Sequence, residues 1–291
     1  MKCGFVSVIG NPNVGKSSII NRLVGEKVAI VSPKPQTTRT KILGILNEED
    51  LQIVFIDTPG FIKPTSKLNE YMAKNIESAG EGVDACLFVV DASKGISEKE
   101  FEAIKRQKSH CVVAVNKMDL VSYEKVFPEI AKLNEIEDIE VVPVSAKNRK
   151  NLAELKKVLL KYIPEGEAMY PRDEFTDKNL RFMVSEIVRE KMLWLLNDEV
   201  PHGVNVEILT FEDAAKKIVI SANIVCERDA HKPIIIGKNG AMLKQIGEKS
   251  RLAMEKLTGK KVYLDLFVKV RENWRDNEGL LKSFGFDKKN I

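Results

Sequence analysis

The chain has 291 residues, 44% of them hydrophobic and 30% charged, which is room for two domains of ordinary globular composition. No apolar run approaches the roughly 20 residues of a membrane span, and MKCGFVSVIG lacks the apolar core and cleavage site of a signal peptide, so a cytosolic protein is expected. The net charge of +4 is carried by the C-terminal part: residues 176–291 hold 21 Lys and Arg against 17 Asp and Glu, which points to a polyanionic partner there.

In chain order, near-continuous apolar runs stand at 5–10, 51–57, 85–91, 111–117 and 141–146, as expected of strands buried on both faces. Helical patterns lie between them at SSIINRLVG, LNEYMAKNIESA, EKEFEAIKRQK (98–108) and NLAELKKVLLKYI. The alternation predicts an α/β domain over 1–163, with a mixed, mostly parallel sheet and KILGIL (41–46) as an antiparallel edge strand beside 51–56. Residues 164–178, polar and broken by Pro164 and Pro171, read as a linker. Over 179–291 the order helix, strand, strand, helix, turn, helix, strand predicts an α+β domain. Cys3, Cys86, Cys111 and Cys226 are far apart and form no C-x-x-C pair, so buried free thiols are expected.

After the first strand comes Gly10-Asn11-Pro12-Asn13-Val14-Gly15-Lys16-Ser17-Ser18, a complete G-x-x-x-x-G-K-S placed before a helix. In this setting backbone N–H groups wrap phosphates, Lys16 reaches the β and γ phosphates, and the Ser17 hydroxyl meets Mg²⁺. Asp57-Thr58-Pro59-Gly60-Phe61 closes another strand, with Asp57 placed to hold Mg²⁺ through water and the Gly60 N–H to meet the γ phosphate. In Gln36-Thr37-Thr38-Arg39-Thr40, Thr38 is preferred over Thr37 as the second metal hydroxyl. Asn116-Lys117-Met118-Asp119 follows the strand CVVAV. The Asp119 carboxylate can accept from the N1–H and N2–H₂ edge of guanine, donors that adenine lacks, and Ser145-Ala146-Lys147 offers a backbone N–H to O6. GTP and GDP are therefore the expected nucleotides.

Across residues 4–162 these motifs resemble those of translation-associated P-loop GTPases. Phe61 stands where many such enzymes carry a water-orienting glutamine, and an apolar side chain cannot do that work by hydrogen bonding. The resemblance implies instead that Asn13 holds a K⁺ beside the phosphates. Lys16, Thr38, Gly60 and Asn13 are the expected catalytic set.

Downstream, Ile234-Ile235-Ile236-Gly237-Lys238-Asn239-Gly240 lacks the K-[ST] of a second phosphate loop but fits the G-x-x-G turn of a type II KH domain, which clamps unpaired nucleotides. Lys238 and Lys244 are placed to approach phosphates, and Ile234, Ile235 and Ile236 to pack the core and line the groove. Between 228 and 261 nine basic residues face three acidic ones. With QTTRT, RFMVSEIVREK, KPIIIGKNGAMLKQIG and VYLDLFVKV, the whole chain resembles the Era family of KH-domain GTPases, with Phe267 where many members have tryptophan. That resemblance implies binding of the 3′ end of 16S ribosomal RNA, action in 30S subunit biogenesis, a monomeric state and peripheral contact with the inner membrane. The competing expectations are a non-enzymatic RNA-binding protein with a structural nucleotide, or another translation-associated or RNA-modification GTPase.

Overall fold

The computed structural model describes residues 1–107 and 110–287. Lys108, the last residue of the third helical pattern, and 288–291, the end of the expected second domain, lie outside the described residues. The chain divides into two compact units, Met1–Ala29 with Thr38–Ile62 and Met72–Asp177, and Ile30–Thr37 with Lys63–Tyr71 and the chain from Lys178.

The first unit contains β1 (Lys2–Ile9), α1 (Lys16–Val24), β2 (Ile42–Glu48), β3 (Leu51–Asp57), α2 (Lys67–Ser78, whose first turn belongs to the second unit), β4 (Ala85–Asp91), α3 (Glu98–Lys105), β5 (His110–Asn116), α4 (Tyr123–Asn134), β6 (Ile139–Pro143) and α5 (Leu152–Leu159). Its sheet runs β2-β3-β1-β4-β5-β6, parallel throughout except for the antiparallel edge strand β2. β3 and β4 are buried along their whole length, which is why they are apolar on both faces. α3 begins at a capping box: the Ser97 hydroxyl accepts from the Glu100 N–H while the Glu100 carboxylate accepts from the Ser97 N–H.

Residues 164–177, read above as linker, run along this unit as main-chain partners of its strands. Lys2 bridges Glu165, Gly44 bridges Thr176, and the Ile45 N–H donates to the Phe175 carbonyl at 2.9 Å. Buried Gln52 bonds the backbone of Met169 and Tyr170. The segment is polar in sequence because it is held by backbone groups, which leave no hydrophobic pattern.

The second unit contains α6 (Leu180–Leu195), β7 (Val204–Asp213), β8 (Lys217–Cys226), α7 (His231–Ile236), α8 (Ala241–Thr258), β9 (Lys261–Val270) and α9 (Glu278–Ser283). Its sheet is β7-β8-β9, with the first pair antiparallel and the second parallel. Asn179 caps α6 through the Phe182 N–H, and the apolar sides of α6 and α8 close a core around Val184, Ile187, Ile220, Ile224 and Ile246. Within the same unit the Lys67 N–H at the start of α2 donates to Asp276 Oδ1 (3.0 Å), and Tyr71 meets Phe286 edge-on at 5.6 Å. All four cysteines are buried and free. Among the described residues no helix is long and apolar enough to cross a membrane.

Candidate nucleotide and RNA sites

The loop between β1 and α1 is shaped by side chains from α1, α3 and β5. Buried Lys16 spans it, its Nζ donating to the carbonyls of Gly10 (2.9 Å) and Asn11 (3.0 Å). Asn11 Nδ2 donates to Glu100 Oε1 at 2.7 Å, so the α3 capping carboxylate also steadies the loop. Asn116, at the end of β5, donates from Nδ2 to the Val14 carbonyl (2.8 Å) and accepts the Ala146 N–H on Oδ1 (3.0 Å). One amide thus joins the phosphate loop to both base-reading segments. Asn13 and Lys117 each adopt a left-handed backbone. Gly60 abuts the loop so closely that a Cβ there would fall 2.6 Å from the Pro12 nitrogen, while the Thr58 hydroxyl donates to the Val8 carbonyl (2.8 Å).

Ser17, Thr38 and Asp57 come together. The Ser17 hydroxyl donates to Asp57 Oδ2 at 2.6 Å, that of Thr38 to the same oxygen at 3.2 Å, and the two hydroxyls are 3.1 Å apart. Thr37 is directed elsewhere, to Ser32 and the Lys34 carbonyl, which favours Thr38 as the metal hydroxyl. Asp57 Oδ1 is buried with no hydrogen-bond partner. Two hydroxyls and a carboxylate with an unused oxygen fit Mg²⁺, a hard cation that keeps several waters and needs few protein ligands. Burial, opposed by Asp57, pushes Lys16 down to about 8. Burial likewise raises the Asp57 carboxyl, against the Ser17 bond, the Lys16 charge and the Thr38 bond. An anion beside Lys16 and a cation beside Asp57 would each relieve that cost.

At the base-reading end the Ser145 hydroxyl donates to Asp119 Oδ1 at 2.6 Å, and Lys147 Nζ lies 3.9 Å from Oδ2. Asp119 therefore keeps acceptor capacity on an oriented carboxylate. The Ala146 N–H is engaged by Asn116 Oδ1. Met118 lies in a short 3-10 turn and Lys117 Nζ pairs with Asp91 Oδ2 at 2.6 Å. Burial opposes the ionised Asp91 carboxyl, but bonds from Lys117 and Ser93 outweigh it and hold the group below its ordinary value. Asp91 and Glu100 were not singled out from sequence; the signal for Asp91 was a carboxylate at the C-terminal end of a buried strand. Phe61 packs against Phe88, with ring centroids 6.0 Å apart.

In the second unit the turn 237–240 joins α7 to α8. The Gly237 N–H donates to the Pro233 carbonyl (2.8 Å) and the Gly240 N–H to that of Gly237 (3.1 Å). Gly237 has φ +74, and a Cβ there would sit 2.7 Å from that of Met242. Lys238, Asn239 and Lys244 are exposed. The three isoleucines divide: Ile235 is in the core, Ile236 is partly covered and Ile234 is exposed. A helical turn here sends successive side chains in different directions, so Ile235 takes the expected core position while Ile236 is only partly covered and Ile234 does not pack inside.

Residues 5–117 match the family model described as 50S ribosome-binding GTPase, and residues 199–275 match the KH domain model. GTPase Era of Clostridium kluyveri is 46% identical over 291 residues, covering 98% of this chain and 99% of that protein. The chain belongs to the Era GTPase family. Clostridium botulinum Era is likewise 46% identical over 292 residues, covering 99% of each chain. A solved Era family structure from Aquifex aeolicus, bound to GDP and aluminium fluoride, aligns with a TM-score of 0.93 at 39% identity, covering 98% of this chain and 99% of the other. An Era complex with MgGDPNP and nucleotides 1506–1542 of 16S ribosomal RNA aligns with the same TM-score, identity and coverage. P-loop GTPase and KH architecture are thus both in place, as the Era resemblance implied.

Proposed function

We propose that the chain is a GTP-hydrolysing switch that binds the 3′ end of 16S ribosomal RNA in 30S subunit biogenesis. The observation that carries the enzymatic half is the meeting of Ser17, Thr38 and Asp57 beside Lys16, with Asp57 Oδ1 unused. The RNA half rests on the exposed G-x-x-G turn in a basic segment and on the Era complex that holds 16S nucleotides. Residues 1–163 serve as the GTPase domain and 179–291 as the KH domain.

Residues 10–18 hold the phosphates, Lys16 facing the β and γ groups as their charge develops, and the Gly60 N–H meets the γ phosphate. Ser17 and Thr38 would hold Mg²⁺ through their hydroxyls and Asp57 through water, and the ion would supply neutralisation of the phosphate charge. Asp119, steadied by Ser145, selects guanine, and Asn116 keeps the loops in register. Phe61 cannot orient water by hydrogen bonding, and a K⁺ that Asn13 would hold beside the phosphates would supply charge stabilisation instead. Ile235 and Ile236 support the RNA turn, where Gly237, Asn239 and Gly240 bring backbone close to the strand and Lys238 and Lys244 meet phosphates. The protein acts as a monomer in the cytoplasm, with peripheral inner-membrane contact resting on the family resemblance alone.

Crosslinking to cellular RNA followed by sequencing tests the partner. Small-subunit 3′ ends should dominate, and enrichment of transfer or messenger RNA would overturn the assignment. GTP turnover in K⁺ and Na⁺ buffers of equal ionic strength tests Asn13, and equal rates would remove the potassium role.

A further inference from the structure

The function above does not use a polar cluster on α6. Glu186, Arg189, Glu190 and Trp194 are spaced i, i+3, i+4 and i+8 on α6, a single helix face, while Val184, Ile187, Val188 and Met192 fill the core. Arg189 is 1% exposed. Glu186 holds it in a two-point bond, Nε to Oε1 at 2.7 Å and Nη2 to Oε2 at 2.5 Å, and Nη2 also donates to the Thr37 carbonyl. A buried guanidinium is costly even when paired, so its placement serves more than packing.

The same face holds the other end of the loop. Both main-chain groups of Val31 are bound to it: its N–H donates to Glu190 Oε1 (3.1 Å) and its carbonyl accepts the Trp194 indole N–H (2.9 Å). Residues 30–37 accordingly cluster with α6, and the first unit resumes at Thr38. The Thr37 carbonyl and the Thr38 nitrogen and Cα lie in one peptide plane. Fixing that carbonyl fixes where the Thr38 N–Cα bond lies and so narrows the directions in which its side chain can leave.

We propose that Arg189, oriented by Glu186, is a positioning residue for Thr38. It sets the 37–38 peptide plane so that the Thr38 hydroxyl reaches Ser17 and Asp57, and Glu190 and Trp194 anchor the loop at Val31. The inference rests on the reading of Thr38 as a magnesium hydroxyl. It predicts an effect on the triphosphate state alone, because loops of this kind are ordered by the γ phosphate and its metal.

The test uses the full chain with Arg189→Lys, which keeps the charge but loses the planar fork. Affinity for a non-hydrolysable GTP analogue with Mg²⁺ should fall about tenfold, as for a lost charge-assisted bond, and the Mg²⁺ needed for half-maximal hydrolysis should rise, with GDP affinity unchanged. Equal losses for GTP analogue and GDP would mark a purely structural role and overturn the proposal, as would no change in either. Should Arg189→Lys fail to fold, Trp194→Phe removes only the Val31 bond and should shift the same two readings by less; no shift would count against the proposal. In a Thr38→Ala background Arg189→Lys should add nothing to the Mg²⁺ requirement. If Thr38→Ala alone leaves that requirement unchanged, the metal reading fails first and the inference with it; if it raises the requirement and Arg189→Lys does not, only the inference fails.

Discussion

The glycine turns at 10–17 and 237–240 are built in opposite ways. The loop at 10–17 is shaped from a distance, by Glu100 on Asn11, Asn116 on Val14 and Lys16 across its mouth, and much of this is buried. The turn at 237–240 is shaped locally, by the bonds Gly237 to Pro233 and Gly240 to Gly237, and presents exposed Lys238. A buried, side-chain-braced loop can select one ligand by geometry. An exposed backbone turn relies on close approach and on charge, and so tolerates many positions along a strand.

On that contrast the largest loss comes from the braced loop. Lys16→Ala should lower GTP turnover by about 100- to 1,000-fold, as for other lost transition-state donors, while nucleotide-free RNA affinity stays the same in a filter-binding assay. Asp119→Asn should come next, with GTP preference over xanthosine triphosphate falling about 100-fold in competition experiments, because the guanine donors lose their carboxylate. Persistent GTP preference would contradict the guanine assignment.

The RNA turn should respond more mildly and independently. Gly237→Asp forces a Cβ against Met242 and adds a negative charge, and should weaken single-stranded RNA binding about tenfold with GTP turnover intact. Lys238→Glu should flatten the slope of log affinity against log salt by about 0.7 for each phosphate that is no longer neutralised, without altering GTP affinity. An unchanged slope would leave the turn as a protein-binding surface.

The sequence made the strand-and-helix alternation and the phosphate, metal and guanine motifs legible, because each is written in side chains at fixed spacing. The antiparallel edge strand, the free thiols and the order of the second unit's elements from α6 to β9 could be read for the same reason, but α9 could not. The roles of Asp91 and Glu100 were hidden, since each depends on a partner many residues away. RFMVSEIVREK identified a family without saying what Arg189 and Glu190 touch. Residues 164–177 carry no apolar period, and only main-chain pairing reveals where they lie.

That pairing has a protective consequence. β2 is the outer strand of its sheet and reads ILGILNE, with several apolar side chains buried. Its outward Leu43 and Ile45 N–H groups are occupied by Asp177 Oδ1 and the Phe175 carbonyl. A fragment ending at residue 163 would bare them as a template for strand addition between copies, so the isolated GTPase domain should aggregate where one extended through Asp177 stays dispersed.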